Sequence, residues 1–86
     1  MQTILAGTLA ASGYNYVLRT TELQGGKYEL VIGPVEKPMF CRYFESTKIG
    51  YIEARKWLNA LQDEGPFEIA KLAQTSIHPS QSAAFG

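Results

Sequence analysis

Between Ser46 and Leu61 the chain is expected to form a helix, its apolar positions recurring at a helical period. Ala54, Trp57, Leu58 and Leu61 fall on one stripe, and Gly50 lies on it one turn earlier, the i, i+3, i+4, i+7 spacing of an amphipathic helix. Glu53, Lys56, Asn59 and Gln62 fall elsewhere and suit water. Ser46 and Thr47 are side-chain acceptors suited to cap the first free N–H groups. No proline follows until Pro66, where Asp63-Glu64-Gly65-Pro66 ends the pattern, with Gly65 expected as a left-handed cap. A residue as small as Gly50 lets the helix come close to whatever it covers. Ile49 and Ile52 lie off the stripe; they are expected to touch a flanking loop, the alternative being a second binding surface.

Upstream the period changes to two. YNYVLRTTEL from Tyr14 and KYELVIG from Lys27 are rich in β-branched and aromatic residues. A three-residue hairpin loop, Gln24-Gly25-Gly26, pairs Leu23 with Lys27, Thr20 with Leu30 and Leu18 with Ile32. Tyr16, Leu18, Tyr28, Leu30 and Ile32 then share one face, and Val17, Arg19, Thr21, Glu29 and Val31 the other. A slip of one residue would invert every side chain, so burial selects this parity. Gly33 to Pro38 is a connection, its prolines unfit for a ladder. Met39 to Phe44 reads as a third strand. Met39, Cys41 and Tyr43 form a set without charge and are expected to face the helix, leaving Phe40, Arg42 and Phe44 on the far side.

Residues 2–8 are expected to form a further strand. Pro66 to Ala73 predicts a second short helix, since Ile69, Leu72, Ala73 and Ile77 keep helical spacing, with a strand as the alternative. Residues 78–86 read as an irregular tail. The fold class is therefore α+β: a three- to four-stranded antiparallel meander, one main helix packed across one face, and a short second helix or strand at the C-terminus. The chain of 86 residues is expected to be one domain with its core in residues 14–73.

Composition adds limits. A chain this short buries only about 60% of its unfolded surface, so its stability margin is thin. Eight basic and eight acidic residues cancel, which argues against non-specific nucleic-acid or anionic-membrane binding. One cysteine excludes an internal disulfide and fits a reducing, cytoplasmic setting. The apolar TILAGTLAA segment lacks a basic flank and is too short to span a bilayer, so neither signal peptide nor membrane helix is expected.

Catalytic signatures are missing: no G-x-S-x-G, H-E-x-x-H, Walker-type loop or dinucleotide fingerprint. Cys41 and His78 are the one conceivable thiol–imidazole pair. Cys41 reads instead as a structural core cysteine, and His78 as a solvated residue with no second metal ligand nearby. No enzyme activity, cofactor or metal is expected.

The far face of the sheet, with Val17, Arg19, Val31, Phe40, Arg42 and Phe44, is too apolar to face water unaided. Either the Ile4-Leu5 segment or the chain after Pro66 covers it, or a partner does. Arginine beside aromatics is a common interface composition. The candidate binding residues are Arg19, Phe40, Arg42 and Phe44 on that face, with Lys48, Tyr51 and Arg55 on the polar flank of the helix. The functional expectation is a small protein-binding module that occupies the surface of another protein or of a second copy, as an inhibitor, adaptor or accessory subunit does. Small phage and mobile-element inhibitors share this size class.

Residues 14–61, a three-stranded meander followed by a helix, resemble in architecture the double-stranded-RNA-binding domains and the plant three-stranded DNA-binding domains. The resemblance implies nucleic-acid binding as the alternative function. The first pattern wants clustered lysines at the start of its last helix, where Ser46-Thr47-Lys48-Ile49-Gly50 offers one. The second wants several sheet arginines, where Arg19 and Arg42 stand.

Overall fold

The computed structural model describes residues 2–22 and 25–77. Four strands, β1 (Thr3–Thr8), β2 (Asn15–Thr21), β3 (Lys27–Ile32) and β4 (Phe40–Glu45), precede α1 (Lys48–Leu61) and α2 (Pro66–Ile77). The sheet is an antiparallel meander in the order β1-β2-β3-β4. The expected tail, residues 78–86 with His78, lies outside the described residues, as do Leu23 and Gln24.

The β2–β3 register differs from the expected one. Thr21 pairs with Lys27, Leu18 with Leu30 and Tyr16 with Ile32, so the connection is longer than three residues. Gly25 and Gly26 both take positive φ, 79° and 88°, a conformation open to glycine at little cost. The shift is two residues, and an even shift leaves the faces unchanged.

The orientation of β4 corrects the sequence reading. Tyr28 pairs with Phe44, Leu30 with Arg42 and Ile32 with Phe40. Directly opposed residues share a face, so Phe40, Arg42 and Phe44 lie on the helix side, and Cys41 and Tyr43 on the other. Burial of two large aromatic rings outweighs the single charge between them. Because β4 is an edge strand, Arg42 stays exposed and lays its guanidinium 4.3 Å from the centroid of the Trp57 ring, a cation–π contact.

Both helices pack on that same face. Leu9, Leu18, Leu30, Ile32, Phe40 and Phe44 meet Ala54, Leu58 and Leu61 of α1 and Ile69 and Ala73 of α2 in one cluster, with Trp57 half-buried at its margin. Leu9 extends the core beyond the expected 14–73 limit. Neither expected cover reaches the opposite face: β1 joins the sheet edge-on, and the described part of the chain after Pro66 packs against β4 on the helix side.

The ends of α1 explain its placement. The Thr47 hydroxyl accepts from the Gly50 N–H at 3.1 Å. A Cβ on Gly50 would lie 1.8 Å from the Glu45 carbonyl oxygen, so the helix start rests directly on the end of β4. At the other end Gln62, in right-handed conformation, closes the helix, and Gly65 is not a left-handed cap. Gln62 also accepts from Ala10 N–H through Oε1 at 2.9 Å and from Ala11 N–H through its carbonyl at 3.1 Å. That anchors the β1–β2 connection and presses Leu9 into the core.

Candidate functional site

The seven expected binding residues separate into four environments. Phe40 and Phe44 are core, 5% and 9% exposed, and are not available to a partner. Arg42 stacks on Trp57 at the β4 margin. Arg19 lies on the helix-free face of the sheet. Lys48, Tyr51 and Arg55 come together on α1.

On the helix-free face Arg19 is committed to a neighbour. Its Nε donates to Glu29 Oε1 at 2.7 Å, and Tyr43 donates its hydroxyl to Glu29 Oε2 at 2.8 Å. Directly opposed positions on β2, β3 and β4 are thereby tied in one row. Glu29 is 5% exposed, and each of its oxygens has a partner. The bond to Glu29, with lesser help from burial, pushes the Tyr43 hydroxyl from 10.0 up to about 12, because the neutral phenol is the donor. The adjacent row holds Val17, Val31 and Cys41. Cys41 is half-buried here rather than facing the helices, and burial pushes its thiol up, with Glu29 adding to the effect. A raised thiol is a poor nucleophile at neutral pH. Among the described residues, the buried carboxylate of this face has both oxygens bonded.

The outer surface of α1 is different. Tyr51 meets Tyr28 edge-on, with ring centroids 6.4 Å apart. Arg55 donates from Nη1 to the Tyr51 hydroxyl at 3.1 Å and lies over its ring at 5.9 Å. This fixes one flank of the helix against the sheet. The crest beyond carries Ile49 at 71% exposure and Ile52 at 44%, one turn apart, with Lys48 and Lys56 exposed beside them. Ile49 is largely open to solvent, while Ile52 is partly covered. The sequence reading prefers contact with a loop for them and keeps a second binding surface as the alternative; their distance from the Ala54–Leu61 stripe was the available signal. Lys48 sits in a first helical turn that holds no acidic residue, where a cation opposes the helix dipole. Glu53 is the one carboxylate of α1, against Lys48, Arg55 and Lys56.

Between the helices lies a hollow of about 260 Å³ lined by Lys56, Trp57, Ala60, Leu61, Glu64 and Leu72, and a larger, open one of about 580 Å³ is lined in part by Ala6, Thr8, Val17, Val35 and Glu36. Among the described residues no three His, Cys, Asp or Glu side chains gather as metal ligands would, and no helix is long and apolar enough to cross a membrane. Comparison of the chain with protein-family models, with curated proteins and with solved structures finds no match.

Proposed function

We propose that this chain is a small non-enzymatic protein-binding module, and that the crest of α1 is the surface it offers. The carrying observation is the exposure of Ile49 and Ile52 one turn apart on an ordered helix. The exposed part of these two side chains adds little to folding, and Lys48 beside them works slightly against the helix. Residues that break local stability rules mark functional positions. Tyr51 and Arg55 add the residue types that dominate interface energetics, already held in place by their mutual contact. The partner is a protein surface with an apolar depression rimmed by carboxylates, matching the isoleucines and the three cations of α1. Nucleic-acid binding is less well served, because the crest offers aliphatic side chains where a phosphate track wants cations.

The test is a pull-down from host lysate with the wild type and with Ile49→Asp/Ile52→Asp, followed by carbodiimide cross-linking. The expected result is a protein captured by the wild type, lost with the variant, and cross-linked through its carboxylates to Lys48 or Lys56. Undiminished capture by the variant, or capture abolished by nuclease, would overturn the reading.

A further inference from the structure

The two edges of the sheet are not equally protected. Exposed edge strands invite pairing, and proteins blunt them with charge, proline, bulges or cover. The β4 edge has Pro38 before it and Arg42 and Glu45 on it, and both helices lie over this side of the sheet. The β1 edge has no charged residue and no proline; from Gln2 to Leu18 the sequence carries no charge at all. The helices pack over β3 and β4 rather than over it. Its single protective device is an irregularity between Thr3 and Leu5, which leaves the Leu5–Thr8 stretch regular.

The direction of the backbone groups follows from the ladder. Leu9 N–H bonds to the Tyr14 carbonyl across β1 and β2 at 2.8 Å. Antiparallel alternation then turns the polar groups of Leu5 and Gly7 towards β2 and those of Ala6 and Thr8 outward. These outward groups need a strand or water.

We infer that β1 is a self-association edge, pairing antiparallel with β1 of a second copy about a two-fold axis at Gly7. In that register Ala6 of each copy faces Thr8 of the other, and both outward residues exchange N–H and C=O bonds. A register centred on Ala6 would set Thr8 against the irregular Ile4 of the partner, and one centred on Thr8 would run beyond the strand. A second copy is the favoured occupant because two-fold pairing brings like residues close to the axis, where an edge without charge meets no self-repulsion. The result is a continuous eight-stranded sheet. So short an edge buries less than the roughly 1,200 Å² typical of stable interfaces, so the dimer is weak and depends on concentration.

Sedimentation equilibrium over a concentration series tests this with the full chain. The wild type is expected to shift from monomer towards dimer. Ala6→Pro removes an outward donor without breaking the β1–β2 ladder, and Ala6→Lys places like charges across the axis. Either variant, folded by circular dichroism, is expected to stay monomeric. If Ala6→Pro fails to fold, Ala6→Lys decides. A wild type that stays monomeric throughout, or a folded Ala6→Lys that still dimerises, overturns the inference.

Discussion

The two faces of one sheet are held in opposite ways. The helix side carries Leu18, Leu30, Ile32, Phe40 and Phe44, all buried beneath α1 and α2. Its cohesion is area removed from water, about 25 cal/mol per Å². The other side carries smaller apolar residues, Val17, Val31 and Cys41, next to the Arg19–Glu29–Tyr43 row. There the bonds run between neighbouring strands, and among the described residues no helix supplies area. The comparison teaches that a large side chain belongs where a second layer exists to pack on it. A face without that layer is secured by polar partners at directly opposed positions, each of the order of 1–3 kcal/mol when the acceptor is charged.

The difference between faces can be broken most severely at Phe44. Phe44→Asp puts a charge in the core and deletes a ring worth about 3–5 kcal/mol; in a domain of this size we expect no cooperative thermal transition. Val17→Asp on the other face should remain folded, with a loss of about 1 kcal/mol. Similar losses from the two substitutions in denaturant titrations would erase the distinction. Next in size is Gly50→Ala. The added methyl meets backbone that cannot move aside, and overpacking of this kind costs about 3 kcal/mol. A fully stable Gly50→Ala protein would mean that α1 does not rest on the end of β4.

Glu29→Gln probes the polar face and should cost about 2 kcal/mol, since Arg19 loses its counter-charge while the shape is kept. The same row gives a pH signature. The Tyr43 hydroxyl is raised above its ordinary 10.0 to about 12 by its bond to Glu29. Folding therefore holds the proton more tightly than the unfolded chain does. The contribution is complete below pH 10.0 and is lost as pH rises towards 12. Equilibrium unfolding across that window should show the wild type losing stability and Glu29→Gln losing less. Ultraviolet titration should show one late tyrosinate, shifted earlier in the variant. Parallel behaviour of the two proteins would remove Tyr43 from the row.

Much of the fold was legible in the pattern. The helix, expected at Ser46–Leu61 and found at Lys48–Leu61 with Thr47 of the two candidate caps in place, its inward stripe and the close approach at Gly50 follow from local chemistry and a 3.6-residue period. The second helix follows from Pro66 and the spacing of Ile69, Leu72 and Ala73. The faces of β2 and β3 survived an error of two residues in register, because parity is all that a face requires. The candidate site was legible only in part. Lys48, Tyr51 and Arg55 were placed on one flank, but Phe40 and Phe44 were assigned outward, and the exposure of Ile49 and Ile52 was weighed only as the alternative to a loop contact.

The sequence alone determined periodicity, and with it which residues share a side of each element. It could not determine which side of β4 turns inward, because both alternating sets contain apolar residues and the sequence does not say that β4 is an edge. At an edge Arg42 can leave the core and lie over Trp57 while Phe40 and Phe44 stay beneath the helices; in a central strand it could not. That choice depends on neighbours distant in the chain, so only the assembled layers decided it, and with it which surface is left for a partner.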